Sequence, residues 1–505
     1  MRFHALSTLL IGGLLGWFWL TDNVMRSLAV VLLGLLWFVT NGLWWALKAR
    51  GRRLRRLGAF VFVIILIAVF FRFAIRYEGS ADGSAWPQLA FRWQAKDMPL
   101  VPKLAEKQAA ATTEVVTPPA GVQDMPRFLG EKGDGILPAA EFATDWPAKP
   151  PREVWRIAMG AGWSGFAIAG HRAITQEQRD DLECVTCYDI RDGKLLWSHT
   201  DKALFTEMLG GDGPRATPTI DITSSTVFTL GGTGILNCLD LVTGTPKWHA
   251  DVLKDGGASK NLEWGKSASP LLTPQHVICS GGENGASLIA YDRVTGKLAW
   301  KAGTDGGSYA SPVLMNLAGR EQIVTVNRGS VSGHEPTDGS IRWTFDWPGG
   351  FPKVGQPVAA GTNRLLITSS YGLKSHLLEI SDAAQPKVIW AESNPRTKFS
   401  SASISGGHAY ALDEGTLCCV NLEKGERVWR EGRYGFGQQI RVGEDLLLVQ
   451  AEKGHVVLVK LSPEKLIELG RIDALKSKTW NPPTLAGRWL LLRNDREAVC
   501  YELQP

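Results

Sequence analysis

The sequence predicts an all-β fold: an eight-bladed β-propeller of four-stranded antiparallel blades, preceded by N-terminal transmembrane helices and a Pro/Ala-rich tether. Three observations predict it. A strand–turn–strand motif ending in tryptophan recurs down the chain. Short strand-like runs fall into about eight groups. Long apolar runs are confined to the first 77 residues.

The chain opens with apolar runs near 5–20, 28–47 and 57–71. The middle run has the roughly 20 residues of a membrane-spanning helix, and the other two are shorter. Trp17-Phe18-Trp19-Leu20 stands where a cleavable signal peptide would carry small residues. Residues 1–77 therefore read as an anchor of about three transmembrane helices. The loop from Lys48 to Arg56 carries six positive charges. The positive-inside rule places it in the cytoplasm, and so places the chain after Phe73 on the far side of an inner, multi-pass membrane anchor, in the periplasm or its equivalent. Arg72 and Arg76 suit the outer boundary, where long cationic side chains snorkel.

Residues 78–151 are rich in Ala, Pro and Lys, with Thr117-Pro118-Pro119 and Lys149-Pro150-Pro151. They read as an extended tether, with Trp86-Pro87-Gln88 and Phe128–Gly135 as segments that dock on the propeller rim.

Residues 152–505 form the propeller. The clearest repeat is Ala290-Tyr291-Asp292, a turn at Gly296, then Trp300. Copies run from Cys187 to Trp197, Cys238 to Trp248 and Cys419 to Trp429, with turn glycines at Gly193, Gly244 and Gly425. Gly339 to Trp343 is weaker, and the copy ending at Trp390 lacks its glycine. Successive tryptophans lie roughly 40–50 residues apart, a propeller-like period. Glycine supplies the positive φ each turn needs. One blade cannot cover both faces of its own sheet, so blades stack in a ring. The inner strands centre near Phe166, Thr219, Leu271, Val313, Val358, Ser403, Ile440 and Leu485. The final Cys500-Tyr501-Glu502 has no Trp strand after it, and Trp155 precedes the first group alone. The Trp155 strand is therefore expected to complete the last blade.

Charge narrows the function classes. The net charge is +5, yet residues 1–77 hold ten basic residues and one acid, so the remainder is mildly acidic. That argues against nucleic acid as a partner. Cys187, Cys238, Cys419 and Cys500 fall in the slot of Ala290, where cysteine acts as a small buried hydrophobe. Cys184 and Cys187 point to opposite faces of a strand, and no second pair or histidine cluster supports a metal. Cys418-Cys419 lies within a strand, in the Tyr and Ala slots of the repeat. No nucleophile elbow, P-loop or zinc-protease motif is present.

The run of small residue, apolar residue, Asp, Thr-Gly-Lys and Trp resembles the PQQ-type repeat of quinoprotein dehydrogenase-like propellers. It is similar, too, to planctomycete-type PQQ-like propellers and to the propeller lipoprotein of the barrel-assembly machinery. The resemblance covers about Arg127 to the C-terminus, including Phe128-Leu129-Gly130, Gly213–Pro218, Trp264–Pro270 and Tyr309-Ala310-Ser311-Pro312. It implies fold more than function. The dehydrogenases of this type use PQQ, an aspartate base and Ca²⁺ held by oxygen ligands, often with adjacent cysteines at the cofactor. Only Asn261 and Glu263 offer oxygens near the expected place, so no catalytic residue, metal site or cofactor is assigned.

The loops joining each outer strand to the next inner strand should open on one face, around the channel. Trp163, Arg215, Trp264, Lys266 and Tyr309 lie there in the first half. Lys353, Lys398, Tyr434 and Trp480 follow in the second. Such residues suit an anionic or carbohydrate-like ligand, a peptide or a protein, or else they seal the channel. The expected function is a membrane-anchored, extracytoplasmic binding scaffold. The alternatives are a PQQ- and Ca²⁺-dependent dehydrogenase of alcohols or sugars, and an envelope assembly factor, although the N-terminal region has no lipobox cysteine.

Overall fold

The structure is a computed structural model, and it describes residues 2–20, 26–48, 52–94, 101, 117–139, 141–381 and 385–505. Residues 49–51 of the basic loop, and 95–100, 102–116 and 140 of the expected tether, lie outside the described residues. Two compact units form, Met1–Met98 with Met208–Gly211, and Pro99–Glu207 with Asp212–Pro505.

In the first unit, helices α1 (Arg2–Leu20), α2 (Arg26–Lys48) and α3 (Arg53–Ala74) follow one another. Val30–Lys48 and Arg53–Ala74 are long and apolar enough to cross a membrane, with mean hydropathy 1.8 and 2.7. The described apolar stretch of α1 is the shorter Leu6–Leu15, so two spans qualify by length and composition where about three were expected. Gly42 lets α2 meet α3, since a Cβ there would fall 1.9 Å from the Phe60 ring. After α3 the chain turns into a hairpin, Ile75–Ser80 against Pro87–Phe91. Trp86-Pro87-Gln88 thus opens a strand of this unit.

The second unit is an eight-bladed propeller. Blades 1 to 7 are four-stranded meanders over 167–201, 219–251, 271–302, 313–346, 358–392, 403–433 and 438–473. Blade 8 takes three strands from 484–502 and its outer strand, Arg152–Ala158, from the other end of the propeller. Cys500 pairs with Trp155, so the ring closes as the sequence predicts.

The pairing register explains the repeat. The small residue of the third strand sits directly opposite the tryptophan of the fourth: Cys187 with Trp197, Cys238 with Trp248, Ala290 with Trp300, Cys419 with Trp429. Cys418 lies one residue earlier, opposite Arg430, and Val420 takes the tyrosine slot. All seven cysteines are free and buried. Burial pushes their thiols up, to about 12 for Cys238 and Cys279, which keeps them unreactive.

Five of the seven repeat indoles then donate to the next blade, whereas Trp300 Nε1–H has no partner among the described residues and Trp343 donates within its own blade. Trp155, Trp197 and Trp248 donate Nε1–H to the carbonyls of Ile190, Leu241 and Arg293 at 2.7, 3.1 and 3.2 Å. Trp390 and Trp429 do the same to Leu422 and Ser462. The ring lies on the next turn glycine: a Cβ on Gly244 would fall 2.4 Å from Trp197, and one on Gly296 would fall 2.5 Å from Trp248. The turn glycine therefore serves twice, for its φ near +70° and for the space beneath an indole.

Blade 7 has Gly470 where other blades carry the tryptophan. The segment before the propeller fills that place. Buried Trp146 stands over Gly470, whose Cβ would fall 2.3 Å from the Trp146 Cβ. The same segment also enters the bore. Met125 bridges Ile168 of blade 1, and Ile136–Leu137 adds a parallel strand to the inner strand Gln438–Val442 of blade 7. Between them, Arg127–Gly135 closes on itself through Gly130 N to Arg127 O, Gly133 N to Gly130 O and Gly135 N to Leu129 O. Phe128–Gly135 therefore docks on the inner strands, a plug in the bore, where the rim was expected.

Candidate ligand-binding mouth

The loops entering the inner strands are held by a relay of hydroxyl groups. Gly165 N donates to Thr217 Oγ1, Thr217 N to Ser269 Oγ and Ser269 N to Ser311 Oγ, at 3.1, 3.0 and 2.8 Å. Gln356 N donates to Ser401 Oγ at 2.9 Å. Each of these bonds crosses from one blade to the next, which explains the recurring Thr-Pro and Ser-Pro pairs: the hydroxyl satisfies a neighbour's N–H, and proline has no N–H to satisfy. At the seam between blades 8 and 1, Asn481 Nδ2 holds the Gly162 and Ser164 carbonyls.

That seam also contains a buried ion network. Arg493 of blade 8 is fully buried, and it donates to Thr175 Oγ1, Gln176 O and Gly160 O. Beside it, Glu177 accepts from Arg179, Thr186, Tyr188 and Gly160 N. Burial alone would raise the Glu177 carboxyl. Arg179, Arg493 and the Gly160 N–H outweigh burial and hold it below its ordinary value.

On this frame the mouth carries two aromatic groups. In the first, Trp163 packs on Trp480 with centroids 4.8 Å apart, and Phe399 packs on Trp480 at 5.1 Å and on Phe436 at 6.0 Å. Lys398 Nζ lies 4.6 Å from the Phe436 centroid and 5.1 Å from that of Tyr371. Lys478 Nζ lies 4.3 Å over Trp480. Glu452 orients Trp480 by accepting Nε1–H at 2.8 Å. In the second, Tyr309 packs on Trp264 at 5.8 Å and on Phe351 at 5.3 Å, with Arg328 4.8 Å over Phe351. Arg215 stacks on Phe205 at 4.9 Å, and burial lowers its pKa to about 10.

The other lysines and Tyr434 are placed differently. Lys266 is fully buried, with Nζ on the carbonyls of Ser280 and Gly281. Lys353 is buried the same way, on Arg328 O and Trp347 O. Burial lowers both to about 8. The Lys266 ammonium ties its loop to the blade that follows, and the Lys353 ammonium ties its loop back to the blade before it. Tyr434 lies in the core between blades 6 and 7, donating to Glu468 Oε1 at 2.6 Å. The structure thus brings Trp163, Lys398 and Trp480 together, and Trp264 with Tyr309. The sequence reading missed Phe351, Tyr371, Phe399, Phe436, Arg328 and Lys478. Phe399 adjoins Lys398 and Lys478 precedes Trp480 by two, so proximity to the named residues was the available signal.

The chemistry open to this collar is binding by aromatic faces and by cations already seated on them. A Ca²⁺ beside a quinone needs six or more convergent oxygens. Asn261 spends Nδ2 on Gly232 O and Oδ1 on Leu262 N. Among the described residues no three His, Cys, Asp or Glu side chains converge. Cys418 and Cys419 are fully buried inside blade 6. Asn261 and the buried cysteine pair alone do not make up such an oxygen set.

No curated protein matches the chain. Among solved structures, BamB from Moraxella catarrhalis superposes with TM-score 0.51 at 16% identity, covering 70% of this chain and 97% of that one. A europium-containing methanol dehydrogenase gives 0.57 at 12%, covering 73% and 89%. The quinohemoprotein alcohol dehydrogenase from Comamonas testosteroni gives 0.59 at 11%, covering 76% and 82%. At these identities the likeness shows the propeller fold alone. The sequence family described as outer membrane protein assembly factor BamB matches residues 181–431 and 327–484, together more than half of the chain. The chain therefore belongs to that family of PQQ-like β-propellers.

Proposed function

We propose that this protein is a membrane-anchored, extracytoplasmic propeller that binds a protein, peptide or anionic or carbohydrate-like ligand at its mouth and performs no chemistry on it. The observation that carries the reading is the collar itself. Trp163, Trp480, Phe399 and Phe436 form a continuous aromatic wall with Lys398 and Lys478 stacked on it; Phe399 and Lys478 are half-buried and meet solvent, while the others are buried behind them. Aromatic and cationic anchors of this kind dominate binding energy at recognition surfaces. Among the described residues no set of nucleophile, base and oxyanion donors is recognised beside them.

Anchoring rests on α2 and α3, which expose Leu35, Leu36, Phe62, Ile65 and Phe70, each about half accessible. Apolar surface on that scale is costly in water and matched by a bilayer. The basic loop between the two helices sets the orientation, cytoplasmic for the loop and extracytoplasmic for the propeller in the inner membrane. Within this reading, envelope protein assembly is the second candidate, because the family takes its description from an assembly factor.

Two experiments test it. The full chain in detergent, supplied with PQQ and Ca²⁺ and offered an alcohol or sugar, should not reduce an artificial electron acceptor; turnover would establish the dehydrogenase reading instead. In spheroplasts, protease added outside should degrade the propeller and spare the basic loop. Protection of the propeller would reverse the orientation.

A further inference from the structure

The plug loop Arg127–Gly135 does not fill the bore evenly. Between it and blades 2 to 5 lies a crevice whose walls include Arg127, Lys132, Ser269, Ser311 and Gln356. We infer that this crevice binds a carboxylate group, gripped by the Arg127 guanidinium and assisted by Lys132, the Ser269 and Ser311 hydroxyls and the Gln356 amide.

The donors are idle. Among the described residues Arg127 makes one hydrogen bond, Nε to Glu131 O at 2.7 Å, which leaves its terminal N–H groups unused. Burial lowers its pKa, with Asp134 and Glu131 acting on it only through space. A guanidinium partly stripped of water, with its fork open, is matched by an anion. Ser269 Oγ and Ser311 Oγ each accept one backbone N–H in the relay, and neither donates to any described residue. The amide of buried Gln356 has an unpartnered Oε1. Its oxygen and nitrogen are interchangeable by rotation, so it can turn an N–H into the crevice. Lys132 is exposed at the opening.

Size selects the anion. The cavity is about 20 Å³, against roughly 10–15 Å³ for one water. That is room for little more than one oxygen-sized atom, so the edge of a planar carboxylate fits with less of the group left outside than a tetrahedral phosphate or sulfate would leave. A planar two-oxygen acceptor also fits the arginine fork. The carboxylate can come from a small acid or from a peptide C-terminus.

The test uses the full chain in detergent, ¹³C-labelled acetate, and line broadening at constant ionic strength. Saturable broadening is expected, abolished by Arg127→Gln and weakened several-fold by Lys132→Gln, with phosphate failing to compete. A short peptide that displaces acetate as the free acid but not as the C-terminal amide identifies a C-terminus as the source. Acetate binding that neither peptide disturbs identifies a small acid. Broadening that does not saturate, or that phosphate abolishes as well as unlabelled acetate does, overturns the inference. Should Arg127→Gln disturb the plug, the exposed Lys132→Gln decides: undiminished acetate binding in that variant also overturns it.

Discussion

The joint between blades 1 and 2 and the joint between blades 4 and 5 solve one problem with different parts. In the first, Trp197 is buried, donates across the joint to Leu241 O, and lies on Gly244. In the second, Trp343 is equally buried but donates back to Gln322 Oε1 of its own blade at 2.7 Å. The crossing bond is made instead by Trp347, which donates to Lys374 O at 3.2 Å. Blade 5 accordingly has no turn glycine under an indole. Where an indole donor crosses a joint, its position in the repeat is negotiable; between blades 3 and 4 Trp300 packs on Gly339 with its Nε1–H unpartnered among the described residues. Blade 7 replaces the packing alone: Trp146, which arrives from outside the repeats altogether, lies over Gly470, and its Nε1–H has no partner among the described residues.

The largest expected effect breaks the regular joint outright. Trp197→Ala should lower unfolding free energy by about 3–5 kcal/mol, as for other buried aromatic truncations, read from urea unfolding of the full chain in detergent. Next comes the glycine. Gly244→Ala combines a positive φ with a Cβ 2.4 Å from the indole, so roughly 2–3 kcal/mol is expected. Gly407→Ala is the control, with φ +74° and nothing within 4 Å of the added Cβ; about 1 kcal/mol is expected there. Equal losses at the two sites would remove the steric half of the explanation.

The irregular joint predicts a smaller number. Trp343→Phe and Gln322→Leu should couple by about 1 kcal/mol in a double-mutant cycle. Trp347→Phe should show no coupling to Gln322→Leu. The reverse pattern would mean that Trp343 carries the joint after all.

The seam between blades 8 and 1 adds a pH test. Glu177 has its folded pKa held below the ordinary 4.5. Its contribution is therefore complete above that value and lost as pH falls through the depressed folded value. Thermal unfolding below pH 4.5 should fall more steeply in wild type than in Glu177→Gln. Parallel curves would show that the network is not ionised as described.

The regular joints were legible in the sequence because their parts lie within one repeat: small residue, turn glycine and tryptophan recur at fixed spacing. Ring closure was legible for the same reason, since Cys500 and Trp155 are two halves of one motif. What stayed hidden depends on contacts between distant segments. The Thr-Pro and Ser-Pro pairs were visible, but the partner of each hydroxyl sits a whole blade away. Arg493 and Glu177 are more than three hundred positions apart and share no pattern. Lys266 and Lys353 read as exposed loop lysines, because nothing local reveals the carbonyls that bury them. Trp146 and the plug read as tether because their partners are strands of blades 1, 7 and 8.

The outer strand of blade 8 has a consequence for biosynthesis. Arg156 meets Glu497 across 341 positions. Until residue 502 has emerged, Trp155 has no sheet to join, and seven blades stand as an open arc with an unpaired border at one end. That arc must wait until the last blade has been made. A protease or a chaperone meeting the newcomer then would find its easiest grip at 152–158, and would lose it the moment the latch engages.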